Sequence, residues 1–213
     1  MEADRAAGEG RASRVLAADL WWEWAEKQTV KSAKDGGRER AAHWYEQAQD
    51  GFWDTAERAR IAKRLRAYSE SLPPGPAGNV ALARLGTRVS GATRGEDLLD
   101  GVTDGFTGTT GHALGKLPSE WVITLPRAYP LRQLRLLLWD NDDRFYRYTI
   151  EASADGRAFQ LLIDRIQGRS KSWQVLSFPA RPVRAIRLRG LHSSGIPFFH
   201  AVELEAYCRP PPR

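Results

Sequence analysis

The residues best equipped for chemistry in this chain crowd into WDNDDRFYRY (residues 139–148), directly after the apolar run LRLLL. Asp140, Asp142 and Asp143 lie within four positions, with Asn141 among them and Arg144 next. Such a group can hold a cation, work as an acid–base pair, or cap a turn. An EF-hand loop needs oxygen ligands at positions 1, 3 and 5, glycine at 6 and glutamate at 12. Counted from Asp140, positions 1, 3 and 12 are Asp140, Asp142 and Glu151, but position 5 is Arg144 and position 6 is Phe145. The guanidinium puts positive charge where an ion ligand belongs. A glycosidase pair needs two carboxylates facing each other across a sugar, which adjacent Asp142 and Asp143 on one turn cannot do. A turn fits better. Asp and Asn side chains accept from nearby backbone N–H groups, and Arg144 can clamp the loop by pairing with Asp140 or Asp142.

Other routes to catalysis find no support. There is no G-x-S-x-G, P-loop or H-E-x-x-H, and Cys208, the single cysteine, ends a strand-like segment. His112, His192 and His200 lack metal-ligand spacing, and His43 beside Trp44 reads as surface or packing. The expectation is a chain that is not an enzyme.

The elements that must position these residues fall into two parts. SLPPGPAGN (71–79) packs three prolines and two glycines into nine positions, which neither a helix nor a central strand tolerates. Residues 1–72 are read as a helical segment, 73–79 as a linker and 80–209 as a β domain. In residues 12–28, Val15, Leu16, Leu20, Trp21, Trp24 and Ala25 form the stripe of an amphipathic helix. Asp35-Gly36-Gly37 is expected to break the chain before a second helix over 38–49, carrying Ala41, Trp44, Tyr45 and Ala48. After an Asp50-Gly51 turn a third helix is expected, capped by Asp54 or Thr55, with Glu57 favouring its N-terminal end and Ala59, Ile61, Ala62, Leu65 and Tyr68 as its stripe. Trp21, Trp22, Trp24, Trp44 and Trp53 read as packing residues, with a peptide groove as the alternative. AAHWYEQAQ and the helix after it resemble one tetratricopeptide-type hairpin. One such unit cannot bury its face alone, so it is expected to cap the second domain or to continue into another helical array.

Beyond residue 80 the period changes to two. Trp121, Ile123 and Leu125 share a face, as do Leu134, Leu136 and Leu138, and then Tyr148, Ile150 and Ala152. Ser153-Ala-Asp155-Gly156 is a hairpin signal. Segments 159–163, 173–178, 183–188 and 199–207 complete about eight strands without helices between them, the pattern of an antiparallel β-sandwich.

Composition bounds the setting. The 213 residues are 42% hydrophobic and 27% charged, and no apolar run reaches the roughly 18 residues of a membrane span. The N-terminal MEADRAAGEGRASR has no signal-peptide core. With one cysteine, these features point to a cytoplasmic location and no membrane partner. Residues 1–72 carry 13 basic and 13 acidic residues, the rest 19 and 13, so the net +6 belongs to the second part. Arg132, Arg135, Arg184, Arg187 and Arg189 are scattered over strand-like segments without a nucleic-acid motif. They read as a solvated basic face, and no nucleic-acid partner is expected.

Taken in order, NVALARLGTRVSGAT, LLDG, WVITLPRAYPLRQLRLLLWD, YRYTIEASADGRAFQLLID, FPARPVRAIRLRG and HAVELEAYC resemble the discoidin, or coagulation factor type C, domain. The resemblance covers about residues 79–208 and implies a galactose-binding-like jelly roll. WDNDDRFYRY, SWQVLSFPARPVRAIRL and FHAVELEAYC are similar to the discoidin domain of intracellular proteins that carry a BTB domain. Secreted members tie their ends with a disulfide, whereas this chain has no cysteine near Asn79 to pair with Cys208. The resemblance implies a non-catalytic binding module whose ligand meets loops 91–97, 140–146 and 192–198. Arg94, Glu96, Asp140, Asn141, Asp142, Arg144, Tyr146 and Phe198 would then face a ligand. Protein–protein scaffolding is the first reading and carbohydrate binding the alternative, since planar Arg and paired carboxylates suit a charged peptide or vicinal hydroxyls. No cofactor is required. Sugar-binding relatives hold a structural calcium here, which would make Asp100 and Glu203 its ligands, although GFTGTTGHALG departs from the family's short turn.

Overall fold

The computed structural model describes residues 10–48, 55–72 and 75–209. The chain divides into two compact units, Met1–Leu72 and Pro73–Arg213. Trp53, Asp54 and the Asp50-Gly51 turn lie outside the described residues.

In the first unit the helices are α1 (Arg11–Glu26), α2 (Lys31–Gln47) and α3 (Thr55–Ser71). The chain does not break at Asp35-Gly36-Gly37. Helix α2 runs through all three, and the turn comes earlier, after Glu26. Contact geometry explains the glycine. A Cβ at Gly37 would sit 2.8 Å from the Ala25 Cβ and 2.8 Å from the Trp24 ring, so α1 and α2 meet at a point where no side chain fits. The buried stripe of α1 is Val15, Ala18, Trp22 and Ala25, while Leu16 and Leu20, expected inside, are exposed. Ala41, Tyr45 and Ala48 are buried as their spacing predicts, together with Ile61 and Tyr68 of α3. Ala59 and Ala62 are exposed. Asp19 joins the helices, accepting from the Tyr45 hydroxyl at 2.5 Å and from Arg64 at 2.5 Å and pairing with Arg60.

The second unit is antiparallel β-structure, as its two-residue period predicts. Its described strands are β1 (Arg88–Ser90), β2 (Ala113–Lys116), β3 (Ser119–Leu138), β4 (Tyr146–Ser153), β5 (Gln160–Ser170), β6 (Trp173–Ser193) and β7 (Phe198–Tyr207). The main order is β2-β7-β3-β6-β4-β5, with β1 on β3. Two strands are unusually long because segments that read as separate are continuous. Pro130 and Pro182, which lie between those segments, stand opposite one another between register shifts in the β3–β6 ladder. Proline donates no N–H to a ladder and is tolerated at irregularities, so the pair marks a bend, not an end. Before the bend, β3 pairs with β1 and with the half of β6 that carries β4 and β5. After it, β3 pairs with β7 and the first half of β6. The two layers of the sandwich are thus joined by strands that serve both.

Between them lies the core. Trp121, Ile123, Leu125, Leu134, Leu136, Leu138, Tyr148 and Ile150 are each 0% exposed, as alternation predicts. Phe199 packs edge-on against Trp121 and Tyr146, both with centroids at 5.3 Å. At the β4–β5 hairpin Asp155 accepts from the N–H groups of Arg157 (2.8 Å) and Ala158 (3.0 Å). Those donors favour the carboxylate and hold its pKa down at about 2.

Candidate functional site

β3 ends, β4 begins, β6 ends and β7 begins at one end of the sandwich. The connecting segments lock together there through backbone polar groups. Trp139 Nε1–H donates to the Thr107 carbonyl (3.0 Å) and Asn141 Nδ2–H to the Phe106 carbonyl (3.1 Å). Phe145 N–H donates to Ser194 Oγ, and Ser194 N–H to the Phe145 carbonyl, both at 3.0 Å. Arg94 donates to the Thr109 carbonyl and pairs with Asp97. Segments 91–97, 140–146 and 192–198 therefore share one end. They are joined there by 104–112, the stretch that departs from the resemblance.

At the centre lies Trp139, 6% exposed, with the Arg144 guanidinium carbon 4.1 Å above its ring. Arg144 Nε donates to both Asp142 oxygens at 2.9 Å and Nη2 to Oδ2 at 2.6 Å. This is the clamp anticipated from sequence, and the hydrogen bonds from Arg144 hold the Asp142 carboxyl below its ordinary pKa. Beneath Trp139, His112 and His200 stack with centroids 4.9 Å apart. Neither His200 ring nitrogen has a hydrogen-bond partner among the described residues. Burial first, then the charges of His112 and Arg144, push His200 down to about 4. Burial also lowers His112, whose Nδ1 lies 3.2 Å from the Thr110 carbonyl.

The residues expected to face a ligand separate into three groups. Asn141, Asp142 and Glu96 are exposed, and Asp140, Arg144, Arg94 and Phe198 are half-buried. Tyr146 is a correction, because it is 0% exposed in the core against Phe199. It continues the inward alternation of Tyr148 and Ile150 back to the first residue of β4. Trp139, His112 and His200 were missed. The two histidines lie far apart in the chain, and only the β2–β7 ladder, with Ala113↔Ala201 and Leu114↔His200, brings them together.

Asp100 and Glu203 lie near one another but differ in setting. Asp100 is exposed and accepts from Val102 N–H (2.7 Å). Glu203 is 0% exposed, accepts from Gly101 N–H (3.1 Å) and leaves Oε1 without a partner among the described residues. Gly101, at φ +83°, takes a left-handed turn that favours glycine. Burial, then the neighbouring charges of Asp100 and Glu205, raise Glu203 to about 8. No group of three or more His, Cys, Asp or Glu residues suited to a metal occurs among the described residues. The orphaned Oε1 suits a calcium ligand, but two carboxylates fall well short of the six to eight oxygens calcium takes. No described helix is long and apolar enough to cross a membrane.

No family model matches the chain. Over 133 residues it is 35% identical to BTB/POZ domain-containing protein 9 of Homo sapiens, covering 61% of this chain and 22% of that protein. Over 102 residues it is 42% identical to BTB/POZ domain-containing protein 9 of Drosophila melanogaster, covering 48% and 14%. The chain thus spans under a quarter of the length of these curated relatives. This likeness bears out the resemblance carried by the strand motifs at 79–208. Similar solved structures include a family 32 carbohydrate-binding module from Clostridium perfringens NanJ in complex with galactose, 13% identical over 61% of this chain and 97% of that one, TM-score 0.49. Another is chitosan-binding module 1 from a Paenibacillus chitosanase/glucanase, 20% identical over 61% and 98%, TM-score 0.47.

Proposed function

We propose that the second unit is a non-catalytic binding module whose loop end docks a protein partner. The observation that carries this reading is the way the loop end hides its aromatic surface. Trp139 is covered by Arg144, and the groups left outermost are Asn141, Asp142, Asp143 and Ser194, with Ile196 the exposed apolar side chain of the same loop end. A sugar ring needs an open aromatic face and converging polar groups in a concavity. Exposed charged and amide groups held on a clamped loop instead suit the polar contacts of a protein interface.

Carbohydrate binding is the second reading, and one observation favours it. The His200 nitrogens lack partners beside Trp139 and the Arg144–Asp142 pair, and vicinal hydroxyls would satisfy such groups once Arg144 swung aside. A glycan array separates the two, run in parallel with affinity capture on wild-type chain and Asp142→Lys. Silence on the array, with a specific protein lost on Asp142→Lys, is the expected result. Sugar binding that disappears in Asp142→Ala would overturn the protein reading. Asp100 and Glu203 as calcium ligands are a separate proposal, supported by the orphaned Oε1. A calcium-dependent rise in Tm that Glu203→Gln abolishes would support it, and an unchanged Tm would sink it.

A further inference from the structure

We propose that the free edge of β5, with the cation cluster around Phe145, docks an extended acidic peptide of a partner protein. Two independent observations meet on this flank. The first is the edge itself. β5 ends the strand order and, among the described residues, pairs with β4 alone. Proteins usually blunt such an edge by shortness, proline or charge. The opposite end of the order, β2, has four residues, whereas β5 has eleven and no proline. Its ladder with β4 runs over 160–165 and, after a register shift, resumes at Ser170, and its charges, Asp164, Arg165 and Arg169, are mainly basic. It leaves Leu161 58% and Ile166 40% exposed. A strand with one unpaired side and exposed apolar side chains suits an added strand, whose backbone supplies affinity and whose alternate side chains supply specificity.

The second observation is charge without compensation. Arg169 of β5 and Arg147 of β4 place their guanidinium carbons 4.7 and 5.8 Å from the Phe145 ring centre, and His192 stands 5.5 Å from the same ring. The polar contact found for Arg147 is a long one, 3.4 Å to the Gly168 carbonyl. Several arginines elsewhere on the sandwich are committed: Arg94 to Asp97, Arg135 to Glu205, Arg144 to Asp142, Arg187 to Glu151 and Arg189 to Glu120. Others such as Arg127 are not, so what marks this flank is two uncompensated guanidiniums on one ring. Among the described residues Arg147 and Arg169 have no carboxylate within ion-pair distance. Nearby Lys171 pairs with Asp143, whose side chain is wholly exposed, so the pair is readily exchanged for another carboxylate. Asp164, the one acidic residue of β5, turns its Oδ1 to the Ile166 N–H at 2.8 Å.

Together these features select the partner's chemistry. Guanidinium groups bind carboxylates through paired hydrogen bonds, and stacking on Phe145 holds the two arginines in place. The unpaired β5 backbone asks for a chain with its own amide groups, which a peptide has and a nucleic acid lacks. This flank shares Phe145 and His192 with the loop segments but does not use Asp142, Arg144 or Trp139, so substitutions at Arg147 and Arg169 test the flank while Asp142→Lys tests the loop-end reading.

The test is fluorescence anisotropy on the full chain with a labelled seven-residue peptide alternating Glu and Val. A Lys–Val counterpart and a single-stranded oligonucleotide of matched charge serve as comparisons, and amide exchange is followed alongside. The Glu–Val peptide is expected to bind and to protect β5 amides, while the Lys–Val peptide does not bind. Arg147→Glu with Arg169→Glu should weaken binding at least about tenfold, the milder pair to Gln should weaken it less, and Arg88→Glu on distant β1 should leave it unchanged. Thermal melts confirm that each variant is folded. Equal binding of the oligonucleotide, binding without β5 protection, or indifference to the double substitution would each overturn the proposal, as would absence of binding.

Discussion

Two arginine–aromatic pairings lie a few residues apart on this sandwich and have opposite characters. At the loop end Arg144 lies 4.1 Å over Trp139, and its Nε and Nη2 donate to Asp142. On the flank Arg169 lies 4.7 Å over Phe145 without a carboxylate. The ring contact is similar, so it does not decide the role. The counter-charge does. A neutralised guanidinium over a buried ring is a structural clamp that closes a loop, whereas an uncompensated one over a half-buried ring keeps a strong field available to a partner. Burial of the ring follows the same division, because Trp139 also bonds to Thr107 and packs with Leu137 and Val202.

The sharpest way to break this comparison is to remove the rings. Trp139→Ala is expected to destabilise the fold by about 3–5 kcal/mol in urea unfolding, as large-to-small changes at buried aromatics do. Phe145→Ala should cost about 1 kcal/mol or less. Equal losses would end the distinction between clamp and docking ring.

A second effect, on the order of a few kcal/mol, comes from two buried groups of β7 that act in opposite senses. Glu203 is raised from 4.5 to about 8, so its folded form holds the proton better. Its contribution is full below about 4.5 and is lost as pH rises through 8. His200 is lowered from 6.5 to about 4. Its contribution is present above 6.5 and lost as pH falls through 4. Denaturation curves across pH should show Glu203→Gln flattening the loss on the alkaline side and His200→Gln flattening the loss on the acid side. Unchanged pH profiles would mean that neither group titrates as its burial implies.

The smallest effect is the most diagnostic for the comparison. Asp142→Ala should cost only about 0–1 kcal/mol, since the Asp142 carboxylate is exposed. It leaves Arg144 uncompensated, like Arg169. The variant should gain affinity for the Glu–Val peptide at the loop end, and no gain would show that counter-charge alone does not set availability.

Much of this was legible in residue order. The inward faces of β3 and β4 follow from alternation, and the Asp142–Arg144 clamp and the Asp155 turn follow from side chains that reach backbone or charge within two or three positions. Tyr146 was legible too, two residues before Tyr148 on the same face, but its place in the acidic loop drew attention away from the period. Gly36-Gly37 misled because glycine usually signals a break. Gly37 instead answers to a neighbouring helix that the local sequence does not display. The Pro130↔Pro182 bend was hidden for the same reason, since each proline looks like an end until its partner stands opposite.

By itself, then, the sequence determined what depends on near neighbours: the two-part division, the periods of helix and strand, the turns, and the lack of catalytic motifs. Tertiary structure alone decided what depends on pairing between distant segments. It set the β2–β7 register that stacks His112 on His200, the burial of Trp139 under Arg144, the orphaned oxygen of Glu203 beside Gly101, and the free edge of β5. Local preferences act over a few residues through sterics and short hydrogen bonds. Burial and counter-charge are properties of the assembled fold, because they depend on which distant side chains exclude water from one another.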